Sequence, residues 1–134
     1  MNILKLILPA LSAFTLQAGE LGPDVEAKFI KAIIASSGSN KVACTDAALK
    51  VALEAQGVVV DASAAIVWST NALDAKMMKA SGRLVVTNKR ELAANACVLV
   101  QEEGGRPKIF LNTINLKAAR VQLGDAVLKI AEKI

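Results

Sequence analysis

Apolar and polar positions along this chain change period repeatedly, and the changes mark out its elements. From Pro23-Asp24 onward Val25, Phe29, Ile30, Ile33 and Ile34 recur at helical spacing, until Ser36-Ser37-Gly38-Ser39-Asn40 ends the pattern. Lys41 to Thr45 (KVACT) is a short β-type run, after which Asp46 stands where it caps the helix AALKVALEAQ and Gly57 stops it. GVVVD and AAIVWST are two further β-branched runs separated by a small-residue loop. Asn71 caps the helix that follows, with Asp74 three residues on and Gly82 at its end. Arg83 to Thr87 (RLVVT) reads as a strand, and Lys89 to Ala94 makes one or two helical turns. ACVLVQEEGGRPKIFLN reads as a hairpin with its turn from Glu102 to Pro107.

The last element predicted is a helix from Leu123 to Ile134. It places Leu123, Ala126, Val127, Ile130 and Ile134 on one face, with Asp125 early and Lys129 and Lys133 late, as the helix dipole favours. Strands alternating with helices predict an α/β fold. The expected form is a mainly parallel central sheet with helices on both faces and a C-terminal antiparallel hairpin followed by a helix.

The first eighteen residues, MNILKLILPALSAFTLQA, follow neither period. Lys5 is their one charge, Leu6 to Leu16 is apolar apart from Ser12 and Thr15, and Ala18 precedes Gly19-Glu20. A short apolar core behind one positive charge, closed by a small residue, is the pattern of a secretory signal peptide. The expected cleavage lies between Ala18 and Gly19. Residues 1–18 are then a leader, and 19–134 a single α/β domain exported to the periplasm. Loss of Lys5 takes the net charge from +4 to +3. The apolar run is short for a bilayer span, and Pro9 interrupts it.

Composition narrows the partners. Of 134 residues, 54% are hydrophobic but only 3% aromatic, with no Tyr, so the core is built from Val, Ile, Leu and Ala. The charge is mild and its signs are interleaved, with no basic stripe and no aromatic interleaving. Nucleic acid is therefore not an expected partner.

Candidate chemistry is sparse. The chain contains no His, which removes the commonest general base and metal ligand, and its two cysteines alone do not make a zinc site. CTDAAL occupies the turn where a dinucleotide fingerprint would need glycines, and no P-loop is present. A receiver domain would need an Asp where AAIVWST ends in Ser69, Thr70 and Asn71. Asp46, Asp61, Asp74 and Asp125 each have a capping or turn role. No catalytic residue, cofactor or metal ligand is assigned on these grounds, and no enzymatic activity is expected.

Cys44 and Cys97 are expected as two buried small side chains. A Cys44–Cys97 disulfide is the alternative that an export compartment allows. Met77 shares a face with Leu73 and is expected in the core, with Met78 partly exposed. Small polar groups gather at three strand ends: Thr45, then Ser69, Thr70 and Asn71, then Thr87 and Asn88. In a parallel sheet those ends are where a pocket forms, although capping explains the same residues. Asn112 and Asn115 read as turn residues that hydrogen-bond backbone where the sheet hands over to a helix.

Leu84-Val85-Val86-Thr87-Asn88, Val98 to Gln101, Ile109-Phe110-Leu111-Asn112, Ile114-Asn115-Leu116 with Ala118-Ala119-Arg120, and Val127-Leu128-Lys129-Ile130-Ala131 follow one another in the C-terminal half. In that order they resemble the C-terminal half of the YfiR/HmsC-like family of exported proteins. Upstream, AKFIKAII, KVACTD and AAIVWST resemble the family's first helix and two of its strands. The chain departs from the family at Ser36 to Asn40, where a Trp-Pro is usual, and at Thr45 to Ala48. The resemblance implies a periplasmic regulator that binds the sensory part of an inner-membrane diguanylate cyclase or similar signalling protein and represses it. It leaves a homodimer open. A small-molecule sensor or carrier using the strand-end pocket is the alternative function.

Overall fold

The computed structural model describes residues 22–134; the expected leader and its Ala18/Gly19 cleavage position lie outside them. The elements in order are α1 (Pro23–Ser36), β1 (Lys41–Val42), α2 (Ala47–Ala55), β2 (Val59–Val60), β3 (Ile66–Trp68), α3 (Ala72–Ala80), β4 (Leu84–Thr87), a 3-10 segment (Arg90–Asn95), β5 (Val98–Glu103), β6 (Arg106–Leu111), α4 (Thr113–Ala118), α5 (Asp125–Ile130) and β7 (Glu132–Lys133).

The sheet is mixed, as the alternation predicts. β1 pairs parallel with β2, β3 with β4 and β4 with β5, while β5 and β6 form an antiparallel hairpin. A parallel bridge between Ala43 and Val67 joins β1 to β3 through two hydrogen bonds, Ala43 N–H to the Ile66 carbonyl and Trp68 N–H to the Ala43 carbonyl. The spatial order is therefore β2-β1-β3-β4-β5-β6-β7. The chain leaves β1 toward one edge and β3 toward the other, which makes the β1/β3 junction the topological switch point of a doubly wound sheet.

One face carries the larger core. Ile30, Ile33 and Ile34 of α1 and Leu49 and Leu53 of α2 pack with Val42, Ile66, Leu84, Val86, Val98, Val100 and Leu111, joined by Val127 of α5. Burying each such side chain is worth about 1.5–3 kcal/mol relative to leaving it exposed, so this face supplies most of the fold's stability. On the other face the contacts are smaller: Ala75 of α3 with Val85 and Ala96, and Ala43, Ala64 and Val67, with Met78 touching both sets.

The caps follow the sequence reading. Asp46 accepts from Leu49 N–H at 3.0 Å, and Asn71 accepts from Asp74 N–H at 2.9 Å. The hairpin turn is tighter than Glu102 to Pro107. Gly104 and Gly105 (φ 60° and 78°) form it alone, because two glycines tolerate the positive φ of a two-residue connection, and Pro107 already pairs with Glu102. Asn112 caps α4 and donates to the Ala93 carbonyl, while Asn115 donates to the carbonyls of Ala94 and Ala96. Both asparagines thus fasten α4 to the 3-10 segment.

Two further expectations are corrected. The last helix is only Asp125–Ile130, and Glu132–Lys133 leave it to pair parallel with β6. The free edge of β6 outcompetes continued helix, and Lys108 clamps the addition with 2.7 Å to Glu132 and 3.2 Å to Glu103. Met77 is 59% exposed beside an equally outward Leu73, whereas Met78 is the half-buried one. The surface under α3 is made of alanines and valines, and Ala75 with Met78 is enough to fill it.

Candidate functional site

The β2-to-β3 connection sets the geometry of the switch point. Parallel strands are ordinarily joined by a crossover of a dozen or more residues, usually a helix. Here only residues 61 to 65 pass over β1, and Ala64 packs on Ala43 and Val67 beneath them. No helix covers β1 on that face, so a crevice of about 350 Å³ remains between the crossing and α3.

Arg83, at the start of β4, pins the crossing. Its Nε and Nη2 donate to the Ala64 carbonyl at 2.9 and 2.6 Å, Nη2 also donates to the Ala62 carbonyl at 2.7 Å, and Nη1 lies 3.0 Å from Met78 Sδ. Asp61 fixes the start of the crossing by accepting from Ser63 N–H and Ser63 Oγ at 2.9 and 2.8 Å. Those two bonds hold its carboxyl below the usual range, with Lys41 and Arg83 adding to the effect.

Ala43, Val60, Val67 and Met78 give the crevice an apolar lining, and Thr45, Lys50, Asp74 and Arg83 supply its polar groups. Trp68 and Cys44 also line it. Trp68 is 4% exposed and packs in the larger core, where its indole Nε1 is buried without a hydrogen-bond partner. An indole N–H buried unpaired costs about 1–3 kcal/mol. Asp74 is already engaged, accepting from Ser69 Oγ at 2.9 Å. Cys44 is a buried thiol, and that burial pushes its pKa up, so it stays protonated at neutral pH.

The six strand-end candidates divide between two places. Thr45 lines the crevice, Ser69 lies behind it through Asp74, and Asn71 is the cap of α3. Thr70 is exposed and not part of the lining. Thr87 and Asn88 belong instead to a buried polar cluster at the end of β4. There Thr87 Oγ1 accepts from Lys89 N–H, Asn88 Nδ2 donates to the Glu26 carboxylate at 2.6 Å, and Gln101 Nε2 donates to the Asn88 carbonyl. Asn88 Oδ1 is buried without a partner.

Lys50, Arg83, Glu26 and Gln101 escaped the sequence reading. None stands at a strand end in sequence; they arrive from a helix, a strand start and the middle of β5. Arg83 carried one signal: a charged residue opening an otherwise apolar strand.

The disulfide alternative is not realised. Cys44 and Cys97 are both free, buried thiols. β3 and β4 lie between their strands, so three strand spacings put them roughly 14 Å apart, well beyond the reach of a bridge. Burial raises the Cys97 pKa as it does that of Cys44. Among the described residues no group of three or more Cys, Asp or Glu is placed to hold a metal ion, and no helix is long and apolar enough to cross a membrane.

Comparison with protein-family models, with curated proteins and with solved structures finds no match for this chain.

Proposed function

We propose that this chain is a periplasmic regulatory domain. It binds the periplasmic sensory part of an inner-membrane signalling protein such as a diguanylate cyclase, represses that protein, and performs no chemistry of its own. The observation that carries the reading is the outward face of α3, where Leu73 is 68% exposed and Met77 59%, one helical turn apart. A Leu beside a flexible, polarisable Met is an adaptable apolar contact, suited to a partner that changes conformation. The resemblance in residues 84 to 131 supports the same reading. Repression then works through differential affinity, the domain binding the restrained state of its partner more tightly than the active one.

The test is tagged full-length protein expressed in its own host with its leader, cross-linked and recovered, beside a Leu73→Glu/Met77→Glu variant. A signalling protein recovered with the parent and lost with the variant, together with a rise in the cyclic dinucleotide, is the expected outcome. Recovery of no signalling protein removes the repressor reading. N-terminal sequencing of the same sample checks for a start at Gly19.

A second reading, a small-molecule sensor or carrier of the periplasm, is favoured by the crevice at the switch point. That position is where ligands sit in open α/β sheets.

A further inference from the structure

Exposed apolar side chains gather at one corner of this domain. Of the nine large hydrophobic residues exposed among the described ones, four follow the start of α4: Ile114, Leu128, Ile130 and Ile134, with Ile114 at 79% and Ile130 at 67%. α1 turns its isoleucines inward and its lysines outward, but α5 does not sort its residues in this way. Ala126, Val127, Leu128 and Ile130 make it mostly apolar, and only Val127 is buried. α4 likewise buries only Asn115. A groove of about 350 Å³ lined by Leu116, Ala119, Leu123 and Leu128 joins the two helices. The Ile134 N–H donates to the Leu111 carbonyl at 2.8 Å, which brings the end of β7 beside the start of α4. A helix apolar on its outward side marks a surface that something other than water covers.

Charge at this corner is unbalanced. From α4 onward four exposed cations, Lys117, Arg120, Lys129 and Lys133, stand against two acidic side chains, Asp125 and Glu132. Lys108 already pairs with Glu132 at 2.7 Å, and the groove is lined by Lys117 but by no carboxylate. An occupant that suits the corner supplies hydrocarbon and negative charge together, over two helices and a strand end. An anionic phospholipid bilayer does so, because its phosphates attract surface cations while the boundary beneath them accepts apolar side chains.

We infer that the α4/α5 corner docks on the surface of an anionic phospholipid bilayer, with Ile114 and Ile130 entering the boundary below the headgroups and Lys117, Arg120 and Lys129 meeting the phosphates. The attachment is peripheral, and no helix among the described residues is long and apolar enough to cross. α5 packs on the larger core and α3 on the opposite face of the sheet, so the inference is independent of what α3 docks.

The experiment sediments the protein, expressed with its leader and purified as processed, with vesicles of phosphatidylcholine alone and of equal parts phosphatidylcholine and phosphatidylglycerol. Expected is binding to the anionic vesicles on the order of tenfold or more tighter than to the neutral ones, weakened by added salt. Lys117→Glu/Lys129→Glu removes that preference, and Ile114→Ser/Ile130→Ser weakens binding by a similar factor. All four residues are exposed, so both variants keep the parent's melting temperature. Leu73→Glu/Met77→Glu leaves vesicle binding as it was. Equal binding to both vesicles overturns the anionic class. Vesicle binding that survives both pairs of corner substitutions overturns the corner as the contact. Absence of sedimentation with either vesicle overturns the inference, and a dimer that Ile114→Ser/Ile130→Ser dissolves would then make a second copy the occupant.

Discussion

The side-chain amide of Asn88 donates to the carboxylate of Glu26 at 2.6 Å, tying the end of β4 to the first turn of α1 across 62 residues of sequence. Both residues are buried, at 8% and 5% exposure, and Gln101 reaches the Asn88 backbone from the neighbouring strand. Asn88→Ala takes a donor from a buried carboxylate and is expected to lower stability by about 1–3 kcal/mol. Urea unfolding gives the number directly. An unchanged midpoint would mean that the carboxylate finds an equal partner elsewhere.

Gly124 admits no side chain. A Cβ there would stand 2.7 Å from the Ser36 carbonyl oxygen, and the Gly124 N–H already binds Ser36 Oγ at 3.2 Å. Gly124→Ala must push α5 away from the end of α1, at a cost of about 1–3 kcal/mol. Its effect should exceed that of Gly22→Ala, where a Cβ meets nothing within 4 Å. Equal melting temperatures for the two variants would contradict the close approach.

Asp61 makes stability depend on pH in a definite direction. Its folded pKa lies below the ordinary 3.8, so its contribution is complete above that value and is lost as pH falls through the lower folded value. Ser63→Ala removes the hydroxyl that helps depress it. The variant should lose part of this acid-side dependence while matching the parent in the slope of its stability above neutrality. Stability curves measured in parallel from pH 2 to 9 make the comparison.

The thiols give a chemical check on the sheet order. With both buried and unbonded, Ellman's reagent should react slowly with native protein at neutral pH and titrate two thiols once it is unfolded. A reductant should leave the melting temperature where it was. A drop on reduction would require a Cys44–Cys97 bridge and a different strand order.

What the sequence made legible was local. Asp46 and Asn71 announce their helices because a cap and the backbone N–H it accepts from sit three residues apart, and Gly104-Gly105 announces a hairpin because adjacent glycines tolerate the positive φ of its turn. Period change likewise foretold a parallel sheet ending in an antiparallel hairpin. Glu132–Lys133 could not be read as strand, because their pairing partner, Phe110–Leu111, lies over twenty residues upstream and has a free edge to fill. Met77 and Met78 were exchanged because two adjacent methionines fit one helical stripe about equally well. Only the small residues beneath α3 decide between them. At the candidate site, the strand-end rule found Thr45 and its neighbourhood. It had no access to Lys50 and Arg83, which the fold alone brings to the same crevice.

The five-residue crossing over β1 is also a statement about what the chain can tolerate. Its ends must clear two strand spacings, close to 10 Å, while five residues reach at most about 17 Å, and a turn closed by the Ala64 N–H on the Asp61 carbonyl takes up the difference. Removing a residue breaks that turn and the carbonyl contacts of Arg83, whereas lengthening costs little beyond slowly growing loop entropy. Residues 61 to 65 are therefore a one-way joint: the position at which this molecule would accept an inserted peptide or reporter, and the last place from which a residue could be removed.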